Sequence, residues 1–169
     1  MKKLVLALLL ILLQLCTACS ETTYHSNEEI GRAFQRHKST FENVAVSAVC
    51  ENSGYIHKPD AEGQETECGD SGCKLMEADG LHIHLQREMS DTELRHIAEA
   101  ALALMENVDI ESISFSQEAV RFHLKDESEY SWDPTIVYWR ADDADEGKIG
   151  YGEAVCRLAD HWYAALITR

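Results

Sequence analysis

The sequence predicts an α+β fold, in which an antiparallel sheet of about four to five strands is covered on one face by two helices. Two observations support this prediction. In two segments that each begin with a capping box, apolar residues recur every three or four positions, which is the pattern of an amphipathic helix. Later segments alternate apolar and polar residues, as strands with one buried face do.

The first predicted helix is Asn27–Glu51. Ser26 can cap it, and Glu29 at the third helical position can reach back to Ser26. The apolar spacing continues along the segment, and His37 falls on its apolar stripe, where we expect a hydrogen-bonded core histidine. A break near Ser39 is the alternative, because the end of the segment also alternates like a strand.

The second predicted helix is Asp91–Glu106, preceded by a capping box that starts at Ser90. We expect it to end at Asn107, a residue that tolerates the left-handed conformation of a helix cap. Between the helices, Asn52–Asp79 is rich in glycine and charged residues and is predicted to be a long loop held by cysteines.

Alternating or β-rich segments predict the strands. In the first of them, His82 and His84 lie on the face opposite to the three apolar residues. The five predicted strands are Leu81–Leu85, Ser112–Phe115, Ala119–Leu124, Thr135–Arg140 and His161–Thr168.

The amino-terminal segment predicts export. Lys2 and Lys3 precede an unbroken apolar run, Leu4–Leu13, and small residues follow it, which is the order of a cleaved secretory signal. We therefore divide the chain into a signal peptide at 1–18, a tether at 19–25 and one domain at 26–169. Cleavage after Ala18 leaves Cys19 as the first residue.

An amino-terminal cysteine after such a run resembles the lipobox of bacterial lipoproteins, whose cysteine carries a diacylglycerol thioether. Thr17 and Ala18 suit that pattern, whereas Cys16 stands where the family usually has leucine. The resemblance implies lipid attachment at Cys19 and a place in the cell envelope facing the periplasm, and Ser20 implies the outer membrane. A plain secretory signal cut at the same bond and an uncleaved anchor are the alternatives.

Further residues extend the resemblance. Phe34, His37 and Phe41 lie in a helix after such a signal, and Trp162-Tyr163 closes the chain. Together with later antiparallel strands, this pattern is similar to a loose group of small uncharacterised bacterial exported proteins and lipoproteins. The resemblance implies a fold and a compartment, and it implies no activity and no cofactor.

Four cysteines remain after Cys16 leaves with the signal and Cys19 takes lipid. An even number in an oxidising compartment predicts two disulfides, for which three connectivities are possible. We favour a local Cys68–Cys73 bridge around glycines and a Cys50–Cys156 bridge across the fold. Zinc held by Cys50, Cys68, Cys73 and a histidine is less expected than disulfides in an exported protein.

The mature domain is strongly acidic. Removing residues 1–18, which hold two lysines and no acidic residue, changes the formal net charge from −15 to −17. Such a field repels nucleic acid and anionic lipid head groups and attracts a basic protein or a cation. Solubility is the simpler explanation of the same charge.

Several segments resemble sites of known chemistry. Ser71 lies in a Gly-Asp-Ser-Gly sequence, but the glycine that follows in trypsin-like proteases is Cys73 here, so we interpret this loop as a turn. A calcium loop that starts at Asp143 lacks its final bidentate acid, because Ala154 stands there. No phosphate loop or dinucleotide fingerprint is present.

Histidines give the one candidate metal site. His82 and His84 lie on one face of a strand, where two imidazoles can share an ion, and His57, His96 or His123 can supply a third ligand. A solvated strand face produces the same alternation without any metal. The tyrosines and tryptophans of the last forty residues suit a partner surface or a sugar site, and we expect them in the core.

The sequence therefore predicts a non-catalytic, lipid-anchored envelope protein that binds another protein through an acidic surface. An accessory role and an inhibitor or immunity role both fit. The alternative is a metal-binding protein or an enzyme that uses the strand with His82 and His84.

Overall fold

The computed structural model describes residues 26–48, 53–59, 74–86, 89–125, 132–142, 149 and 155–168. These residues form two helices and one sheet of eight strands, in which every neighbouring pair is antiparallel. The predicted α+β class is confirmed. The predicted number of four to five strands is wrong, because the sheet has eight.

The two helices are α1, Asn27–Ser47, and α2, Asp91–Asn107. The sheet has the order β2-β3-β1-β4-β5-β6-β8-β7. Its strands are β1, Gly54–His57; β2, Lys74–Ala78; β3, Leu81–Leu85; β4, Ile110–Phe115; β5, Ala119–Leu124; β6, Trp132–Trp139; β7, Val155–Ala159; and β8, Trp162–Thr168.

Three strands were not expected from the sequence. The segment predicted to be a loop, Asn52–Asp79, contains β1 and β2, so that prediction is wrong where the structure describes it. Ile56 of β1 is fully buried and supplies the apolar contact that holds this short strand. The third unexpected strand is β7, which pairs with β8.

Helix α1 begins as predicted and ends early. The Ser26 hydroxyl accepts a hydrogen bond from the Glu29 N–H at 3.3 Å. The predicted end at Glu51 is wrong, because Ala48 has left the helical conformation, with ψ at 88°. A kink does occur, but at His37 (φ −118°, ψ 19°) rather than near Ser39. Helix α1 is thus two helical segments that join at His37.

The end of α1 is tied to the sheet. Arg140, just after β6, donates a hydrogen bond from Nη2 to the Ala48 carbonyl oxygen at 2.6 Å. Carbonyls at a helix end lack helical partners, so a cationic donor there satisfies one of them and favours the helix dipole. The contact joins two residues that are 92 positions apart in the chain.

Helix α2 carries the predicted capping box. The Ser90 side chain accepts from the Glu93 N–H, while the Glu93 carboxylate accepts from the Ser90 N–H at 3.0 Å. The left-handed residue after the helix is Asp109 (φ 52°), two positions beyond the expected Asn107. The Asn107 side chain instead donates to the Ala103 carbonyl oxygen at 2.6 Å.

Both helices and the sheet contribute to one apolar core. The rings of Phe34 and Phe41 on α1 lie 5.0 Å from Trp162 and Phe122 of the sheet, respectively. A second, smaller buried cluster contains Trp139, Tyr163 and Ile149. Trp139, Trp162 and Tyr163 are all buried, which confirms the core interpretation for these three aromatic residues.

Candidate functional site

Strand pairing brings histidines from two strands onto one face of the sheet. In the β1–β3 register, His57 lies opposite His82, and Tyr55 lies opposite His84. Directly paired residues of antiparallel strands point to the same side, so all four side chains share a face. The residues between them, Ile56 and Ile83, belong to the apolar core on the other side. The predicted placement of His82 and His84 opposite the apolar residues is confirmed.

The closest contact in this group joins His57 to His84. Their Nε2 atoms are 3.2 Å apart, and the two residues are only 6 % and 7 % exposed. The ring planes differ by 12°, and the ring centroids lie 5.4 Å apart. With the Nε2 atoms 3.2 Å apart, the centroids can be this far from each other only if both Nε2 atoms lie close to the line that joins the centroids. The rings therefore meet end to end, with their Nε2 atoms facing each other.

The backbone fixes the tautomer of His57. Its Nδ1 lies 2.9 Å from the Lys58 carbonyl oxygen, which can only accept a hydrogen bond, so Nδ1 carries the proton. In the neutral ring, the Nε2 atom of His57 then holds a lone pair. The contact at Nε2 is satisfied when His84 donates its Nε2–H to that lone pair.

Three further side chains surround the pair. The ring of Tyr55 lies 5.3 Å from that of His57, and the ring of His82 meets His57 edge-on at 5.4 Å. The Glu77 carboxylate of β2 lies 3.6 Å from Nε2 of His82. Burial lowers the pKa of His84, and the neighbouring His57 and His82 lower it further. His84 is therefore held in its neutral form.

We use the name histidine cluster for His57, His82 and His84. The sequence singled out His82 and His84 as metal ligands, and the structure brings His57 closer to His84 than that interpretation assumed. His96 is exposed on α2, and His123 lies on β5, two strands away from β1. In the part of the chain that the structure describes, no group of three or more His, Cys, Asp or Glu side chains is arranged to hold a metal ion.

A second polar contact lies on the same face and was not found from the sequence. The Ser114 hydroxyl and Nε2 of His123 are 3.1 Å apart across β4 and β5. Burial lowers the pKa of His123, Asp133 opposes the shift, and Arg121 adds to it. Ser114 and His123 are nine residues apart and lie in different strands, so only the strand register reveals the contact.

The cysteines fall mostly outside the described residues. Cys156 lies on β7 as an exposed free thiol. Its expected partner Cys50, the pair Cys68 and Cys73, and the lipid site Cys19 all lie outside the described residues. Both disulfides and the lipid attachment stay predictions. The signal segment, the serine of the Gly-Asp-Ser-Gly turn and the rejected calcium loop also lie outside them, apart from Ile149 within that loop.

Charge is distributed unevenly along the chain. The exposed face of α1 mixes both signs, with ion pairs Glu28–Arg32 at 2.7 Å and Lys38–Glu42 at 3.6 Å. Runs of acidic residues occupy 60–70, 126–129 and 143–146. These runs fall in the connections β1–β2, β5–β6 and β6–β7, respectively. The acidic excess is thus concentrated in the connections of the sheet.

No protein-family model, curated protein or solved structure matches this chain. The resemblance to exported lipoproteins therefore rests on the sequence features alone. Neither helix within the described residues is long and apolar enough to cross a membrane.

Proposed function

We propose that the mature chain is a lipid-anchored protein of the bacterial envelope, without catalytic activity, that binds a basic partner protein. The observation that carries this proposal is the acidic charge, −15 for the whole chain, gathered into connections between strands. The lipobox-like sequence before Cys19 supports the anchor, and Ser20 after it supports the outer membrane as its place.

The proposed architecture leaves room for such a partner. With both helices on one face of the sheet and much of the opposite face buried, as at His57, Thr135 and Trp139, the strand connections are the surfaces that remain for binding. The surface of α1 is a poor candidate, because its exposed charges pair with each other. Ion pairs of this kind cancel locally and attract no distant charge.

Acidic runs in the connections act together on a basic partner. Opposite charges attract across roughly 8–10 Å at physiological salt, and the acids of each run are close in sequence. Their summed field accelerates encounter with a basic surface and falls steeply as salt rises. Specificity then requires complementary contacts beyond charge.

Two biological uses fit the proposal: an accessory role in envelope assembly, and neutralisation of a basic toxin or wall-degrading enzyme. The second use requires exposed aromatic anchors among the acidic residues. Trp139, Trp162 and Tyr163 are buried and cannot serve as such anchors.

A charge-matched pair of variants tests the binding surface. The first replaces Asp143, Asp145 and Glu146 by Asn, Asn and Gln, and the control replaces the exposed helical residues Glu42, Glu99 and Glu106 by Gln. Each variant loses three negative charges. Mature protein captures partners from its own envelope fraction at low and high salt, and mass spectrometry identifies them.

We expect the connection variant to lose the basic partner and the control to retain it, with wild-type capture falling about tenfold or more at high salt. Equal capture by both variants, or capture that salt does not change, would contradict the proposal. For the anchor, a Cys19→Ala variant should leave the membrane fraction, and the mature wild-type amino terminus should carry acyl chains. A wild-type chain without lipid refutes the anchor.

A further inference from the structure

We propose that His57 and His84 form a two-coordinate site for a soft monovalent metal ion, Cu⁺ or its analogue Ag⁺. This site is separate from the acidic connections, and neither proposal depends on the other. It differs from the site that the sequence suggested, because His57, which was one of three possible third ligands there, is one of its two ligands, and His82 is not a ligand.

The end-to-end alignment of the rings suits a linear ion. A linear metal–imidazole site with bonds of about 2.0 Å places the two nitrogens about 4 Å apart. The observed Nε2–Nε2 distance is 3.2 Å, so the ion requires the ring ends to separate by about 0.8 Å.

The ligand orientation is already set. A metal-binding histidine commonly donates its second ring N–H to a carbonyl oxygen, which fixes the tautomer and aims the lone pair. His57 has this arrangement through the Lys58 carbonyl oxygen at 2.9 Å. The Nε2 lone pair of His57 therefore points along the line toward His84.

Binding at His84 changes one tautomer. His84 donates its Nε2–H to His57 in the free pair, and on binding this proton moves to Nδ1 of the same ring through solvent. Two dative N–metal bonds form, no net proton is released and the oxidation state of the ion does not change.

The number of ligands favours this class of ion. Zinc in protein sites has at least three protein ligands, and the described residues contain no group of three that could hold a metal. Two nitrogens complete the shell of a linear monovalent ion.

Binding is measured on the full mature chain without a histidine tag, after free thiols such as Cys156 are alkylated, because thiolates bind these ions more tightly. Ag⁺ is titrated by calorimetry, and Cu⁺ is studied anaerobically by X-ray absorption. We expect the protein to bind one equivalent of ion. The X-ray absorption edge should have the shape of linear coordination, and the ligand shell should contain nitrogen only.

The variants His57→Gln and His84→Gln should each lower affinity about tenfold or more, whereas His82→Gln and the helical control His96→Gln should leave it unchanged. Circular dichroism checks that each variant folds. Direct ¹⁵N spectra of wild-type histidines serve if a variant does not fold, since Ag⁺ should shift Nε2 of both ligands. Absence of binding, unshifted Nε2 signals, or an equal loss in His82→Gln overturns the proposal.

Discussion

Phe41 is one of the residues through which the segment of α1 after the kink contacts the sheet, so its truncation tests that packing. The side chain is fully buried. Its ring lies 5.7 Å from Phe34, 5.0 Å from Phe122 and 6.1 Å from Trp162. Replacing a core Phe by Ala costs about 3–5 kcal/mol. Three ring contacts are lost together, and each aromatic pair contributes about 0.5–1.5 kcal/mol beyond buried area.

We therefore expect Phe41→Ala to lower the free energy of unfolding by about 4–5 kcal/mol. At a urea m value of about 2 kcal/mol/M, the unfolding midpoint falls by about 2 M. Urea titration followed by tryptophan fluorescence measures this shift. Val46→Ala on the same helix is the control, because Val46 is 83 % exposed and its truncation should change stability by less than about 0.5 kcal/mol. A loss below about 1 kcal/mol for Phe41→Ala would refute the packing of α1 against the sheet.

Three further predictions use the same unfolding assay. Ser90→Ala removes the capping box of α2 and should cost about 1 kcal/mol, while Ser90→Asp should retain most of the stability. Gly31→Ala should stabilise by about 0.5–1 kcal/mol, because the new Cβ meets Leu158 Cδ2 at an ordinary 3.4 Å within a helix. Gly54→Ala should instead destabilise strongly, because its Cβ would lie 2.5 Å from the His84 carbonyl oxygen; equal effects of the two substitutions would contradict the β1–β3 spacing. Burial is the main cause that lowers the pKa of His123, so the neutral form of His123 favours folding. Stability should therefore fall as the pH drops below 6.5 through the folded pKa, and His123→Gln should reduce the slope of stability against pH between pH 7 and pH 4.5. An unchanged slope would show that His123 is not buried in its neutral form.

The elements predicted correctly from the sequence have strong local signals. Helix α2 has a complete capping box and regular apolar spacing, and its predicted range differs from the observed one by a single residue. Strand β3 alternates strictly, and its predicted bounds match those observed. Such patterns depend on neighbours in the chain, so sequence reasoning can find them.

Strands β1 and β2 were missed because each is short and buries few residues. The sequence does contain one signal for β2. Asp79 and Gly80 both have positive φ, 51° and 76°, and they form a two-residue turn that joins β2 to β3. Asp-Gly between alternating residues is a strong hairpin signal, but the glycine-rich composition before it favoured a loop.

The predicted start of β6 is also too late, because Pro134 is disfavoured inside a sheet. The β5–β6 pairing ends at Thr135. Pro134 therefore faces no paired residue of β5 that would need a hydrogen bond from the N–H that proline lacks.

The histidine cluster shows the limit of sequence reasoning for the site. His82 and His84 were identified because they alternate within one strand. The nearest partner of His84 is His57, 27 residues away, in a segment that was not recognised as a strand. Their contact depends on the β1–β3 register, which is set by tertiary packing. The Ser114–His123 contact was missed for the same reason.

The strand order also determines how the margins of the sheet are built. Hairpins β2–β3 and β7–β8 attach alongside β1 and β6, respectively. Detachment of either hairpin would uncover the hydrogen-bonding groups of the strand beside it. Unpaired backbone of this kind recruits other chains into aggregates. The β3–β1 and β6–β8 pairings therefore govern the protein's resistance to self-association under mild denaturation. The contact between His57 and His84 joins the two strands of the first pairing.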